Sequence, residues 1–103
     1  MIIYNVLMFG SMCLGYDTIS INIIDQQDNT IKLLKLPRRL AKQINMREFP
    51  IPSLFQFVIE KQGYHLKFTP HHVPNYSITE QEKKMINEFS LLKSEEQYSI
   101  IDF

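Results

Sequence analysis

Six basic residues, Lys32, Lys35, Arg38, Arg39, Lys42 and Arg47, fall within sixteen positions with no acid among them. Ammonium and guanidinium groups at that density suit an acidic partner, either the phosphates of RNA or DNA or the carboxylates of another protein's surface. On a helix, Arg38 and Lys42 stand four apart and share a face, with Arg39 beside them. A helix start would add free amide donors to that positive end. The same residues also suit a solvated helix face lying near the chain's own acidic tail.

The other chemistry-bearing residues are sparse. His65, His71 and His72 are the three histidines and lie within eight positions. Imidazoles can ligate a metal or exchange protons near neutral pH. Adjacent histidines on an extended chain point in opposite directions, however, and no second cysteine or carboxylate joins them locally. They are weak metal candidates, and no metal or cofactor is expected. Cys13 is the single cysteine, so no internal disulfide can form. Ile19 stands where a cysteine-phosphatase loop would place its arginine. A structural Cys13 is expected, in keeping with how often cysteine is buried.

Gly10-Ser11-Met12-Cys13-Leu14-Gly15 has the glycine spacing of a phosphate-binding loop. Such a loop needs Lys and then Ser or Thr, the first to neutralise phosphate and the second to hold magnesium. Tyr16 and Asp17 occupy those places. A connecting loop over Gly10–Asp17 is therefore expected.

Those side chains must be positioned by regular elements. Met1–Phe9 is apolar on both alternating faces, the mark of a central strand. Thr18–Asp25 alternates, with Ile19, Ile21 and Ile23 on one side, which predicts a half-buried strand. Gln26–Asn29 is polar, and Thr30–Leu36 resumes a strand pattern, so the two runs should pair as a hairpin. Pro37 suits a first helical position, and the stripe Leu36, Leu40, Ile44 predicts a short helix from Pro37 to about Met46.

Beyond Pro50 and Pro52, Ser53 can cap a helix over Leu54–Gln62 with Gly63 as its terminator. Apolar nearly all round, that helix should be buried. Tyr64–Thr69 alternates and predicts a strand, and Pro70–Tyr76 an irregular connector. The last helix begins at a capping box, either Ser77 with Glu80 or Thr79 with Glu82. Its stripe is Met85, Ile86, Phe89 and Leu92. Tyr98–Phe103 reads as a strand, expected to complete the chain's own sheet because an exposed apolar strand invites association. A helix-turn-helix is not expected: the double-proline connection is too long, and the second helix offers few side chains to read bases. Over Lys35–Met46 the order strand, Leu-Pro, basic helix is similar to swapped-hairpin transition regulators of the AbrB type. The turn and strand that should follow are missing, and no family is assigned.

The bulk numbers agree with one α+β domain spanning 1–103. The expected sheet is mixed, mostly antiparallel, with three to five strands and two or three helices on it. A chain of 103 residues with 45% apolar residues can bury a core without staples. Met1–Leu14 lacks the basic start and small-residue cleavage site of a secretion signal, and no run reaches the ~20 apolar residues that span a bilayer. A cytoplasmic location and no membrane partner are expected. Fourteen Ile and eight Lys against one Ala and three Arg suit AT-rich coding DNA, as in a low-GC bacterium or a virus.

Net charge is zero but unevenly placed. Residues 1–31 carry three acids and no base, residues 32–79 eight bases and two acids, and residues 80–103 six acids and three lysines. The expected function is a non-enzymatic binding protein, a small regulator or inhibitor that contacts an acidic surface of another protein. The alternative is a nucleic-acid-binding module using the basic strand–helix patch on phosphates, and the second alternative a small metal- or histidine-dependent enzyme. An unpaired sheet edge would leave a homodimer open.

Overall fold

The computed structural model describes residues 1–13, 17–44, 51–91 and 99–102. The elements run β1 (Ile2–Cys13), β2 (Thr18–Asp25), β3 (Thr30–Pro37), α1 (Arg38–Ala41), β4 (Ser53–Gln62), β5 (His65–Val73), α2 (Glu80–Leu91) and β6 (Ser99–Asp102). One sheet joins all six strands in the order β5-β4-β1-β2-β3-β6. Five are antiparallel neighbours, and the short β6 adds in parallel beside β3. The α+β class and mostly antiparallel sheet match expectation, with one strand more than the three to five foreseen. Among the described residues two helices accompany the sheet, and α1 is a single turn.

β1 is central, as its doubly apolar pattern predicts, and it runs on through Gly10 to Cys13 where a loop was expected. The register with β2 slips between Met8 and Gly10. That bulge adds one residue and reverses which side chains of β1 face which side. Gly10 then sits opposite Asn22, where an added Cβ would approach Asn22 Nδ2 to 3.0 Å. Gly10 to Cys13 of the expected connecting loop are thus strand, while Leu14, Gly15 and Tyr16 lie outside the described residues.

β2 and β3 form the expected hairpin, closed by Gln26–Asn29 with Asn29 in the left-handed region at φ 55°. Asparagine tolerates that region better than most residues.

The expected helix over Leu54–Gln62 is instead β4, seated between β1 and β5. From Phe55 on its burial alternates, with Gln56, Val58 and Glu60 half-buried on the other face. Phe55, Phe57 and Ile59 point into the larger core, and Leu54 into the smaller. Gly63, read as a helix terminator, holds φ 60° in the turn to β5, where Gln62 pairs with His65. β5 extends to Val73 and absorbs most of the expected connector, Pro70 included. Proline is tolerated there because β5 is a sheet edge.

Two apolar clusters lie on opposite faces of the sheet. The larger gathers Val6, Met8, Ile21, Ile23, Leu34, Leu36, Phe55, Phe57, Ile59 and Phe68, closed at one end by Leu40, Ala41 and Ile44. The smaller holds Leu7, Ile24 and Leu54 beneath Tyr76, Ile78, Met85 and Ile86, so α2 covers this face. Phe89 of α2 meets Phe9 edge-on at 5.2 Å between ring centroids. α2 starts at the second expected capping box. The Glu82 amide donates to Thr79 Oγ1 at 3.1 Å, and the Thr79 amide to Glu82 Oε1 at 3.1 Å. Among the described residues, no helix is long and apolar enough to cross a membrane.

Candidate binding surface

The fold divides the six-base run. On a strand, residues three apart face opposite sides. Lys32 shares the larger-core side with its register partner Ile23, and Lys35 takes the other side opposite Ser20. Lys32 is then used internally. Its Nζ donates to Asp25 Oδ2 at 2.8 Å and to Asp28 Oδ2 at 2.9 Å. The Asp25 side chain is 3% exposed and Lys32's is 17% exposed. A carboxylate so deep requires partners, and the Gln27 amide supplies another at 3.0 Å. The bonds to Asp25 and then Asp28 raise the Lys32 pKa. Bonding by Lys32, and next by Thr30, holds the Asp28 carboxyl below its ordinary range. Lys32 is thus held within the fold by Asp25 and Asp28.

Lys35 is half-buried and stands in register between Ser20 and Asp102 of β6. The chain then leaves the sheet at Pro37 and makes one turn. There the Lys42 amide donates to Arg38 O at 3.1 Å. Leu40, Ala41 and Ile44 are buried, which fixes the turn on the core and sends Arg39 and Lys42 into solvent. Among the described residues neither Arg39 nor Lys42 has an ion pair. Arg38, half-buried, lines a pocket of about 230 Å³ with Arg39, Pro37 and Asp17.

The turn is shorter than the expected helix from Pro37 to Met46: Pro37 still belongs to β3, and the helix ends at Ala41. A single turn has almost no macrodipole. Its first amide is also already used, since Arg38 N donates to Asp17 O at 2.7 Å. The positive character here comes from side chains alone. Arg47 lies outside the described residues, as does Met46 at the end of the expected helix.

The histidines all fall on β5. His65 and His71 face one side, six residues apart, a separation of about 20 Å along a strand. His72 faces the other side, its ring 5.3 Å from that of Phe55. Among the described residues no group of three or more His, Cys, Asp or Glu could hold a metal ion. Cys13 ends β1 opposite Ile19, and its side chain lies outside what is described.

A second polar cluster joins the β2–β3 turn to the start of α2. Gln26 Nε2 donates to Tyr76 Oη at 2.9 Å and to Glu82 Oε2 at 3.3 Å, and Tyr76 Oη donates to Glu82 Oε1 at 2.7 Å. Burial pushes the Glu82 carboxyl up. The bonds from Tyr76, the Thr79 amide and Gln26 outweigh it and leave the pKa below the ordinary value. Tyr76 is shifted the other way, first by burial and then by its bond to Glu82. Every member is matched to another, which suits a brace better than a reactive site. The capping box showed half of this cluster in advance. Gln26, fifty residues from Tyr76, carried no local signal.

No family model, curated protein or solved structure matches the chain.

Proposed function

We propose that this chain is a non-enzymatic binding protein, a small regulator or inhibitor, that contacts an acidic surface of another protein through Arg38, Arg39 and Lys42, with Lys35 behind them. One observation carries the reading: Arg39 and Lys42 stand exposed on a turn pinned by Leu40, Ala41 and Ile44, with no ion pair among the described residues. A pinned backbone presents its cations with little further ordering cost, and guanidinium forks suit carboxylates.

A second reading, contact with nucleic-acid phosphates, draws on the pocket between Arg38 and Arg39, which has room for a phosphate group. It ranks second because the withdrawal of Lys32 leaves a compact cluster, with Asp17 at its border, in place of a long basic track.

Fluorescence anisotropy separates the readings. Labelled polyglutamate, duplex DNA and single-stranded RNA are titrated with the protein across a salt series. Binding of polyglutamate that falls with Arg39→Glu and Lys42→Glu supports the protein-contact reading. Preference for an oligonucleotide, with a salt slope of about −1 per phosphate contacted, would move the assignment to nucleic acid. No binding of any probe at low salt would remove both.

A further inference from the structure

α2 links β5, at one edge of the sheet, to β6, at the other, and packs on the smaller apolar cluster between them. Its hold on that face is light. Met85 and Ile86 pack against Leu7, Ile24 and Leu54 yet stay half-buried, as does Phe89 against Phe9. No buried member of the larger cluster comes from α2, and the ladders joining β1 to β5 do not pass through it. The antiparallel strands can therefore keep their pairing and their main core with α2 raised.

The approach to α2 is loosely seated as well. Where the chain leaves β5, Asn75 takes the left-handed conformation at φ 62°. Asn75 and Tyr76 line a pocket of about 140 Å³ with Ser53, Leu54 and His72. A polar tie opposes release. Gln26 Nε2, on the β2–β3 turn, donates to Tyr76 Oη and to Glu82 Oε2. The Tyr76–Glu82 bond and the Thr79 capping box are internal to the α2 segment. The Gln26 side chain joins that group to the sheet, and its own amide is fixed on Asn5 O of β1.

We propose that α2 is a strap, latched to the β2–β3 turn through Gln26, that opens as a unit while the antiparallel sheet stays folded. Opening uncovers Leu7, Ile24 and Leu54, on three adjacent strands, as an apolar face. Segments with few buried apolar contacts open below the free energy of global unfolding. α2 is thus the movable part of a fixed sheet.

Native-state hydrogen exchange of the full chain, at a series of low urea concentrations, tests the strap. The amides of residues 85–89 should share one opening free energy, below that of β1 and β4. Their urea slope should be above zero yet smaller than that of those strands, because less surface is exposed. Gln26→Ala removes the tie and leaves the Tyr76–Glu82 bond and the capping box in place. It should speed exchange of residues 85–89 about fivefold, the net worth of one hydrogen bond. Arg39→Glu with Lys42→Glu, beside the larger cluster on the opposite face, should leave that exchange unchanged. Coincidence of α2 with β4 in both free energy and slope would overturn the strap, since α2 would then leave only with the whole fold. Scattered α2 values without a urea slope, the mark of local fraying, would overturn it too. An unchanged α2 rate in Gln26→Ala would overturn the latch.

Discussion

The two ends of β3 carry similar charges and treat them in opposite ways. At its start, Lys32 is drawn in and neutralised by Asp25 and Asp28, and the adjoining turn sends Gln26 into the Tyr76–Glu82 cluster. At its finish, Arg39 and Lys42 point outward with no ion pair among the described residues. The difference arises in the connections. The β2–β3 hairpin returns acids at positions 25 and 28 to the same end as Lys32. At the β3–α1 junction, the Asp17 carbonyl accepts from the Arg38 amide and Asp17 lines a pocket with Arg38 and Arg39. Similar side chains thus become part of the fold at one end and stand exposed at the other.

The largest effect expected from this contrast is in stability. Lys32→Met should cost about 2 kcal/mol by stranding the buried Asp25 carboxylate, read as a lower urea midpoint. Adding Asp25→Asn should recover much of the loss. If Lys32→Met is neutral, the closed end is no more internal than the open one.

Breaking the neighbouring brace should have a slightly smaller effect. Glu82→Ala removes a capping partner and the acceptor for Tyr76 and Gln26, and should cost about 1–2 kcal/mol. The pH dependence follows from the depressed carboxyl. Its contribution is fully present above the unfolded value of about 4.3. It is lost as pH falls through the lower folded value, because acid protonates the unfolded state first. Urea midpoints compared between pH 7 and pH 3 should fall more in the wild type than in Glu82→Gln.

At the open end, the expected change is in binding. Arg39→Glu with Lys42→Glu should weaken polyglutamate binding about tenfold at low salt and by less at high salt, measured by anisotropy. The smallest expected effect is on folding: Arg39→Ala and Lys42→Ala should each shift stability by under about 0.5 kcal/mol. A larger loss in thermal melts would show that these cations serve the fold after all.

The sequence by itself determined the central β1, the β2–β3 hairpin, the capping box at Thr79 and Glu82, and a chain end able to join its own sheet. In each, the signal is local: a period of two, a polar turn, or a hydroxyl three residues before a carboxylate. Tertiary structure decided Leu54–Gln62. An apolar run bounded by Ser53 and Gly63 fits a buried helix or a strand, and pairing with β1 and β5 selects the strand. The tertiary structure also decided which bases belong to one surface. Linear spacing counts charge, but a strand sends Lys32 and Lys35 to opposite faces, and a hairpin returns two acids to the first of them.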